Sequence, residues 1–249
     1  IDARLDLRDH SISPTRGAYA SVVAQYADFG GDANDFRIQP ELRFYFPVPG
    51  AKANIALRAA TGFLFPFNYR TYDSAALGDD APRVKDTQVA YFRSFFSGGP
   101  NSNRGYPFRG VGPHGPVEFF NPALASEQVN CDPDAPSYDD EACSFPLGGS
   151  SLWEASVAFR FKVSSSFASA LFCDASDVLL QEFTLEFSRP HISCGTGLRY
   201  ATPVGPIRFD LGYRIPGLQV LGGADRIEGD PGTILGLPLN ASFGIGEAF

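Results

Sequence analysis

Strict alternation of apolar and polar residues over stretches of about ten positions constrains this chain more than any other feature. Between residues 36 and 46, Phe36, Ile38, Leu42, Phe44 and Phe46 share one side of an extended backbone. Arg37, Gln39, Glu41 and Arg43 share the other. Val157, Phe159, Phe161 and Val163 alternate in the same way with Arg160 and Lys162. So do Ile207, Phe209, Leu211, Tyr213 and Ile215 with Arg208, Asp210, Gly212 and Arg214. A period of two is the signature of a strand with unlike faces. No segment approaches the ~20 apolar residues of a membrane helix, and long 3.6-period stretches are missing. The 23 Phe are instead scattered through short segments bounded by Gly and Pro, the habit of an all-β chain.

A soluble sandwich alternates too, so alternation alone leaves it open beside a membrane barrel. Three features favour the barrel. The strands run to about ten residues, enough to cross a bilayer at a tilt and longer than the ~5–6 of ordinary strands. Connections alternate between short (9–16, 48–52, 164–166, 202–205) and long (28–35, 66–150, 179–190, 216–238), as periplasmic turns and external loops do. The last segment, 239–249, reads as a strand with Leu239, Ala241, Phe243, Ile245 and the aromatic Phe249 on one face. The expectation is an antiparallel transmembrane β-barrel with about nine strands, at 1–8, 17–27, 36–47, 53–65, 151–163, 167–178, 191–201, 206–215 and 239–249. Bacterial single-chain barrels have even strand numbers. An odd count in a chain that opens directly on a strand implies a start part-way round the barrel.

The formal charge of −8 and the lack of a basic stripe argue against nucleic acid as a partner. With three scattered His (His10, His114, His191) and no CxxC pair, a zinc site is not expected. Carboxylate pairs, nucleophile–base sets and phosphate loops are likewise missing, so neither enzyme activity nor a cofactor is expected. The four Cys fall into two candidate disulfides. Cys131 and Cys143 bracket an acidic stretch of the long loop, whose Asp132, Asp134, Asp139, Asp140 and Glu141 fit a solvated external loop better than a calcium site. Cys173 and Cys194 share the apolar parity of neighbouring antiparallel strands, and a cross-strand bridge needs them directly opposite.

Within the long loop, Phe96-Ser97-Gly98-Gly99-Pro100-Asn101-Ser102-Asn103-Arg104-Gly105-Tyr106 is similar to the sixth-loop signature of BamA/TamA-type outer-membrane assembly barrels. Four more segments resemble that family, in order. They are Asp6-Leu7-Arg8-Asp9 with Pro14-Thr15-Arg16-Gly17; Phe172-Cys173-Asp174-Ala175-Ser176-Asp177-Val178; Gly195-Thr196-Gly197-Leu198-Arg199-Tyr200 with Pro203-Val204-Gly205-Pro206; and Phe243-Gly244-Ile245-Gly246-Glu247-Ala248-Phe249. The resemblance implies that the nine strands are strands 8–16 of a 16-stranded barrel. It also implies first strands and periplasmic POTRA domains upstream.

The resemblance further implies that the loop 66–150 folds back into the lumen and that Arg104 meets Asp174 on the inner wall. Where the family often carries a second acidic partner this chain has Ala158, and Glu154, four residues earlier on the same face, is the expected substitute. Ser176 replaces the family Gly. The functional set expected on this basis is Gly98, Gly99, Arg104, Gly105 and Tyr106 in the loop, Asp174 and Glu154 on the wall, and Phe243, Gly244, Ile245, Gly246 and Phe249 in the closing strand. Gly244 and Gly246 fit a strand weakened for gating and equally fit ordinary packing. The implied role is insertion or translocation of unfolded outer-membrane or secreted proteins through a lateral gate between first and last strands. Its implied partners are the lipid bilayer and periplasmic or lipoprotein accessory subunits, its site the outer membrane. A two-partner-type secretion pore, a passive porin-like channel and a barrel scaffold are the alternatives.

Overall fold

The computed structural model describes residues 1–28, 30–69, 80–115, 144–203, 205–216 and 234–249. In chain order these form β1 (Asp2–Asp6), β2 (Gly17–Ala27), β3 (Asp35–Pro47), β4 (Ala53–Pro66), α1 (Asp80–Arg93), β5 (His114–Gly115), β6 (Phe145–Pro146), β7 (Ser151–Lys162), β8 (Phe167–Leu179), β9 (His191–Tyr200), β10 (Ile207–Arg214) and β11 (Leu239–Ile245). Nine strands make one sheet in the order β1-β2-β3-β4-β7-β8-β9-β10-β11, and β5 pairs with β6 as a small ribbon. Every neighbouring pair is antiparallel. The expected all-β architecture and its nine strands are therefore observed.

Register carries the alternation across the sheet. Leu57 lies opposite both Phe44 and Val157, and Arg58 opposite both Arg43 and Ser156. A one-residue slip would turn every Phe of the outer face inward, so the pattern fixes the pairing. On the outer face Leu42, Phe44, Ile55, Leu57, Val157, Phe159, Leu198 and Phe209 are exposed. On the inner face Arg160, Asp174, Arg199, Arg208 and Asp210 are buried. That is the inverse of a soluble protein's distribution, and it is what lipid outside and a filled lumen inside require.

Two small cores lie on the inner face. Leu64, Phe95, Tyr106, Val111, Leu152 and Val178 form one beneath the long-loop end. Tyr45, Ala56, Ala158, Phe172 and Phe249 form the other.

Three features differ from the sequence reading. The long loop contains a helix, α1, whose sequence is too polar to display an apolar stripe and whose last-turn Arg93 is held by tertiary contact instead. The connection 7–16 is longer than the connection 28–34, so short and long connections do not alternate strictly. The closing strand ends at Ile245 rather than at Phe249. Phe243 and Ile245 face outward, 65% and 69% exposed, but Phe249 is 5% exposed and packs on the inner face. Gly246, at φ +89°, makes that turn. Such a backbone is strained for any residue with a Cβ, and no neighbouring atom within 4 Å crowds it.

Candidate functional site

The segment that follows α1 crosses the inner face and is hydrogen-bonded to β7, β8, β9, β10 and β11. Its entry is fixed at the rim by Asp35, a fully buried carboxylate. Asp35 accepts hydrogen bonds from Arg93 Nε and Nη2 at 2.7 and 2.6 Å, and from the Tyr69 hydroxyl at 2.8 Å. Burial, and then the bond to Asp35, push the Tyr69 phenol well above its ordinary range. The same carboxylate raises the Arg93 guanidinium through its hydrogen bonds.

From there the chain reverses at Gly98 and Gly99, whose φ values of +101° and +104° call for glycine. Arg104 lies at the centre and is 1% exposed. Its Nε and Nη2 donate to the two oxygens of Asp174 at 2.8 and 2.7 Å, and its backbone N–H donates to the same carboxylate at 3.0 Å. The guanidinium also stacks 3.6 Å over the Phe172 ring. A bidentate pair closed by an aromatic face is the geometry for which arginine, not lysine, is suited. Asp174 is there because its parity on β8 is inward, between Phe172 and Ser176.

The residues flanking Arg104 are read by the wall as well. Asn103 Nδ2 donates to Ser176 Oγ at 3.0 Å and to the His191 carbonyl at 2.8 Å. The Ser193 hydroxyl donates to Asn103 Oδ1 at 2.6 Å and accepts the Gly105 N–H at 3.0 Å. A Cβ at Gly105 would stand 2.2 Å from that of Ser193, so no larger residue fits the approach. Asn240 of β11 donates to the carbonyls of Arg104 and Tyr106 at 2.9 and 3.0 Å. Tyr106 is buried, edge-on to His191 at 5.5 Å.

Glu154 touches the loop at another point. It accepts the hydroxyls of Ser97, at 2.9 Å, and of Ser102, while Arg58 donates to its other oxygen at 2.7 Å. The expected second partner of Arg104 is thus a partner of Ser97 and Ser102, because the loop has turned at Gly98 and Gly99 before Arg104 reaches β8. Ala158, with no charge, packs against Phe172 in the second core.

The closing segment completes the inner face. Glu247 lies 3.3 Å from Arg199 Nε and 3.7 Å from Arg160 Nε. Arg160 donates to the Phe249 carbonyl at 2.9 Å. Gly244 has a packing reason, since a Cβ there would sit 2.7 Å from Arg208 Nε. Gly246 has a backbone one.

Cys173 and Cys194 are opposite in register and disulfide-bonded. Cys131, Cys143 and the acidic run 132–141 lie outside the described residues. The wall contacts of Ser193 and Asn240 had no signal in the sequence, because each is a small polar residue on the inward parity, as many others are, and Asn103 lies in a loop, where parity does not apply. Among the described residues no cluster of His, Cys, Asp and Glu suits a metal ion, and no helix is long and apolar enough to cross a membrane, which says nothing of β-barrels.

The Omp85 superfamily domain model matches residues 1–249. No curated protein sequence matches. Among solved structures, the chain is similar to BamA from Haemophilus ducreyi lacking POTRA domains 1–3, with a TM-score of 0.62 and 17% identity. The likeness covers 99% of this chain and 41% of that one, so the chain spans less than half the length of the BamA chain. At this identity it speaks for the fold, while the family match runs the full length of the sequence. The chain belongs to the Omp85 superfamily, a family of outer-membrane β-barrel proteins.

Proposed function

We propose that this chain is the closing part of an outer-membrane assembly factor, and that it admits incoming β-strands at the seam between the barrel's last and first strands. Membership of the superfamily supports a role in inserting or secreting outer-membrane proteins. The assembly reading rests on one observation, the character of β11. It has seven residues, against ten to fourteen for β4, β7, β8 and β9, and beyond Ile245 the chain turns to the inner face. A strand that pairs against β11 gains at most seven ladder positions before its partner departs. In lipid, unpaired backbone groups cost several kcal/mol each. A short, weak seam is one that an unfolded chain can compete for by β-augmentation.

The docked loop argues against a passive channel. A porin-like conduit needs an open polar lumen, whereas here the segment 94–106 is buried across the inner face through Arg104, Asn103 and Tyr106.

The test is reconstitution of the full-length protein in lipid vesicles with an unfolded outer-membrane barrel as client. The assembly reading expects folding of the client to be several-fold faster than in empty vesicles. Steady ion conductance with no acceleration would replace it with the channel reading.

A further inference from the structure

We propose that the β8–β9 loop, residues 180–190, is an interfacial anchor that seats on the boundary between acyl chains and headgroups of the outer lipid leaflet. The loop does not stand away from the rim. It turns back over the outer face of β7 and β4, where a lipid-facing wall would otherwise be bare. Trp153 shows this most directly. Its parity is outward, opposite Thr61 and Asp177, and further along the same face Val157 and Phe159 are exposed. Trp153 is nevertheless only 8% exposed. Its indole N–H donates to the Glu186 carbonyl at 2.8 Å, and its ring lies 5.0 Å from Phe187. Phe183 lies 4.9 Å from Phe63 and 6.2 Å from Phe65, and Phe65 stacks on Phe36 at 6.3 Å.

This is a built arrangement. The Ser151 hydroxyl donates to the Gln181 carbonyl at 2.7 Å and accepts the Thr184 N–H at 3.1 Å. Phe183 adopts φ +47°, a left-handed conformation that a bulky residue rarely accepts. The outcome is that Phe183 and Phe187 are 71% and 64% exposed, and Leu180 47%. Against water such a patch is unfavourable.

Position selects the occupant. The patch is continuous with the apolar outer face, which the family places in lipid, and it lies at the long-loop end. From Phe161 to Trp153 the chain rises eight residues, which at ~3.4 Å each and a tilt of ~40° is roughly 21 Å of membrane height. The apolar band of such barrels is ~25 Å tall, so Trp153 falls near its far edge if Phe161 marks the near one. At the opposite end Phe167 and Tyr200 pair at 5.1 Å, giving that boundary aromatics of its own. Exposed Glu182, Ser188 and Arg189 interleave with the loop's aromatics, the mixed character of a segment between acyl chains and water. The consequence reaches the lumen, because one residue on from Trp153 the same strand carries Glu154, which holds Ser97 and Ser102 of the docked loop.

Trp153 is the only Trp of these 249 residues and serves as the reporter. The full-length protein is reconstituted in phosphatidylcholine vesicles brominated either near the acyl carboxyl end or near the chain methyl end. The fluorescence missing from Trp153→Phe identifies this ring's share. The proposal expects carboxyl-proximal bromines to quench that share about twofold or more over methyl-end bromines, as an interfacial ring requires. It also expects weak quenching by aqueous acrylamide, and a Phe183→Ser/Phe187→Ser variant that exchanges bromine quenching for acrylamide quenching. Efficient acrylamide quenching with none by bromine would overturn it and leave the patch as a surface for a protein. Stronger quenching from the chain ends would overturn it too, by placing the loop within the acyl core.

Discussion

The wall formed by β7 to β10 and the strand that follows it differ in what ties them down. On β8 and β9, neighbouring inward residues Asp174 and Ser193 are opposite in register and both grip the loop at Arg104, Asn103 and Gly105. One position away and on the opposite face, Cys173 and Cys194 join the same two strands covalently. On β11 the outward residues Phe243 and Ile245 are bare, the strand is short, and its continuation is set by one glycine. The difference teaches where this sheet concentrates its strongest contacts: a buried ion pair and a disulfide sit on β8 and β9, whereas β11 holds the loop through the side-chain amide of Asn240.

The largest effect should come from unlocking the wall. Arg104→Ala or Asp174→Ala leaves one buried charge without its partner, a loss of about 3–5 kcal/mol. Protease cutting within 94–106 and a lowered unfolding midpoint would report it. Arg104→Met with Asp174→Leu should cost less than the two single losses summed, because no charge is then stranded. Equal sums would show that the pair is not the lock.

Next comes the disulfide. It spans 21 residues of sequence, and its removal by Cys173→Ser/Cys194→Ser is expected to cost about 2–4 kcal/mol. Thermal unfolding with and without reductant measures this, and reductant should shift the native protein more than the variant, which keeps Cys131 and Cys143.

At the two glycines of the closing segment the effect is smaller. Gly246→Ala meets no neighbour and is penalised through its φ alone, by about 1–2 kcal/mol. Gly244→Ala must instead displace Arg208. Amide exchange should therefore rise around residue 246 in the first variant and around Arg208 in the second. The same pattern in both would merge what are here two separate reasons for glycine.

The smallest effect belongs to the β1–β2 turn, which neither region uses. Burial works to raise the Asp9 carboxyl, but hydrogen bonds from the Thr15 hydroxyl and from the N–H groups of Thr15, Arg16 and His10 prevail and lower it to about 2. A pKa below the unfolded value of ~3.9 stabilises above roughly pH 4, and the contribution fades as pH falls towards 2. Exchange of the Thr15 and Arg16 amides should accelerate over that window and stay flat above it.

The strands were legible because alternation is a local property with one physical cause, and β2, β3, β4 and β7 to β10 lie within a residue or two of the expected bounds. The Arg104–Asp174 contact needed more, namely parity on β8 together with the resemblance of the loop. Other features depend on where side chains from distant segments meet. The α1 helix is held through Arg93 on Asp35 rather than by an apolar stripe. Phe249 reads as outward by parity up to the point where Gly246 ends the strand. Glu154 faces inward as parity requires, but its partners are set by a reversal at Gly98 and Gly99 that spacing alone does not orient.

We propose that β11 works by opening, and a covalent lock tests it. In the full-length protein, one cysteine replaces Ile245 and another a facing residue of the barrel's first strand, with each single-cysteine variant as control. If the claim holds, the oxidised double variant stays folded but no longer accelerates insertion of a client barrel, and reductant restores it to the level of the controls. Undiminished insertion by the fully crosslinked protein would contradict the account.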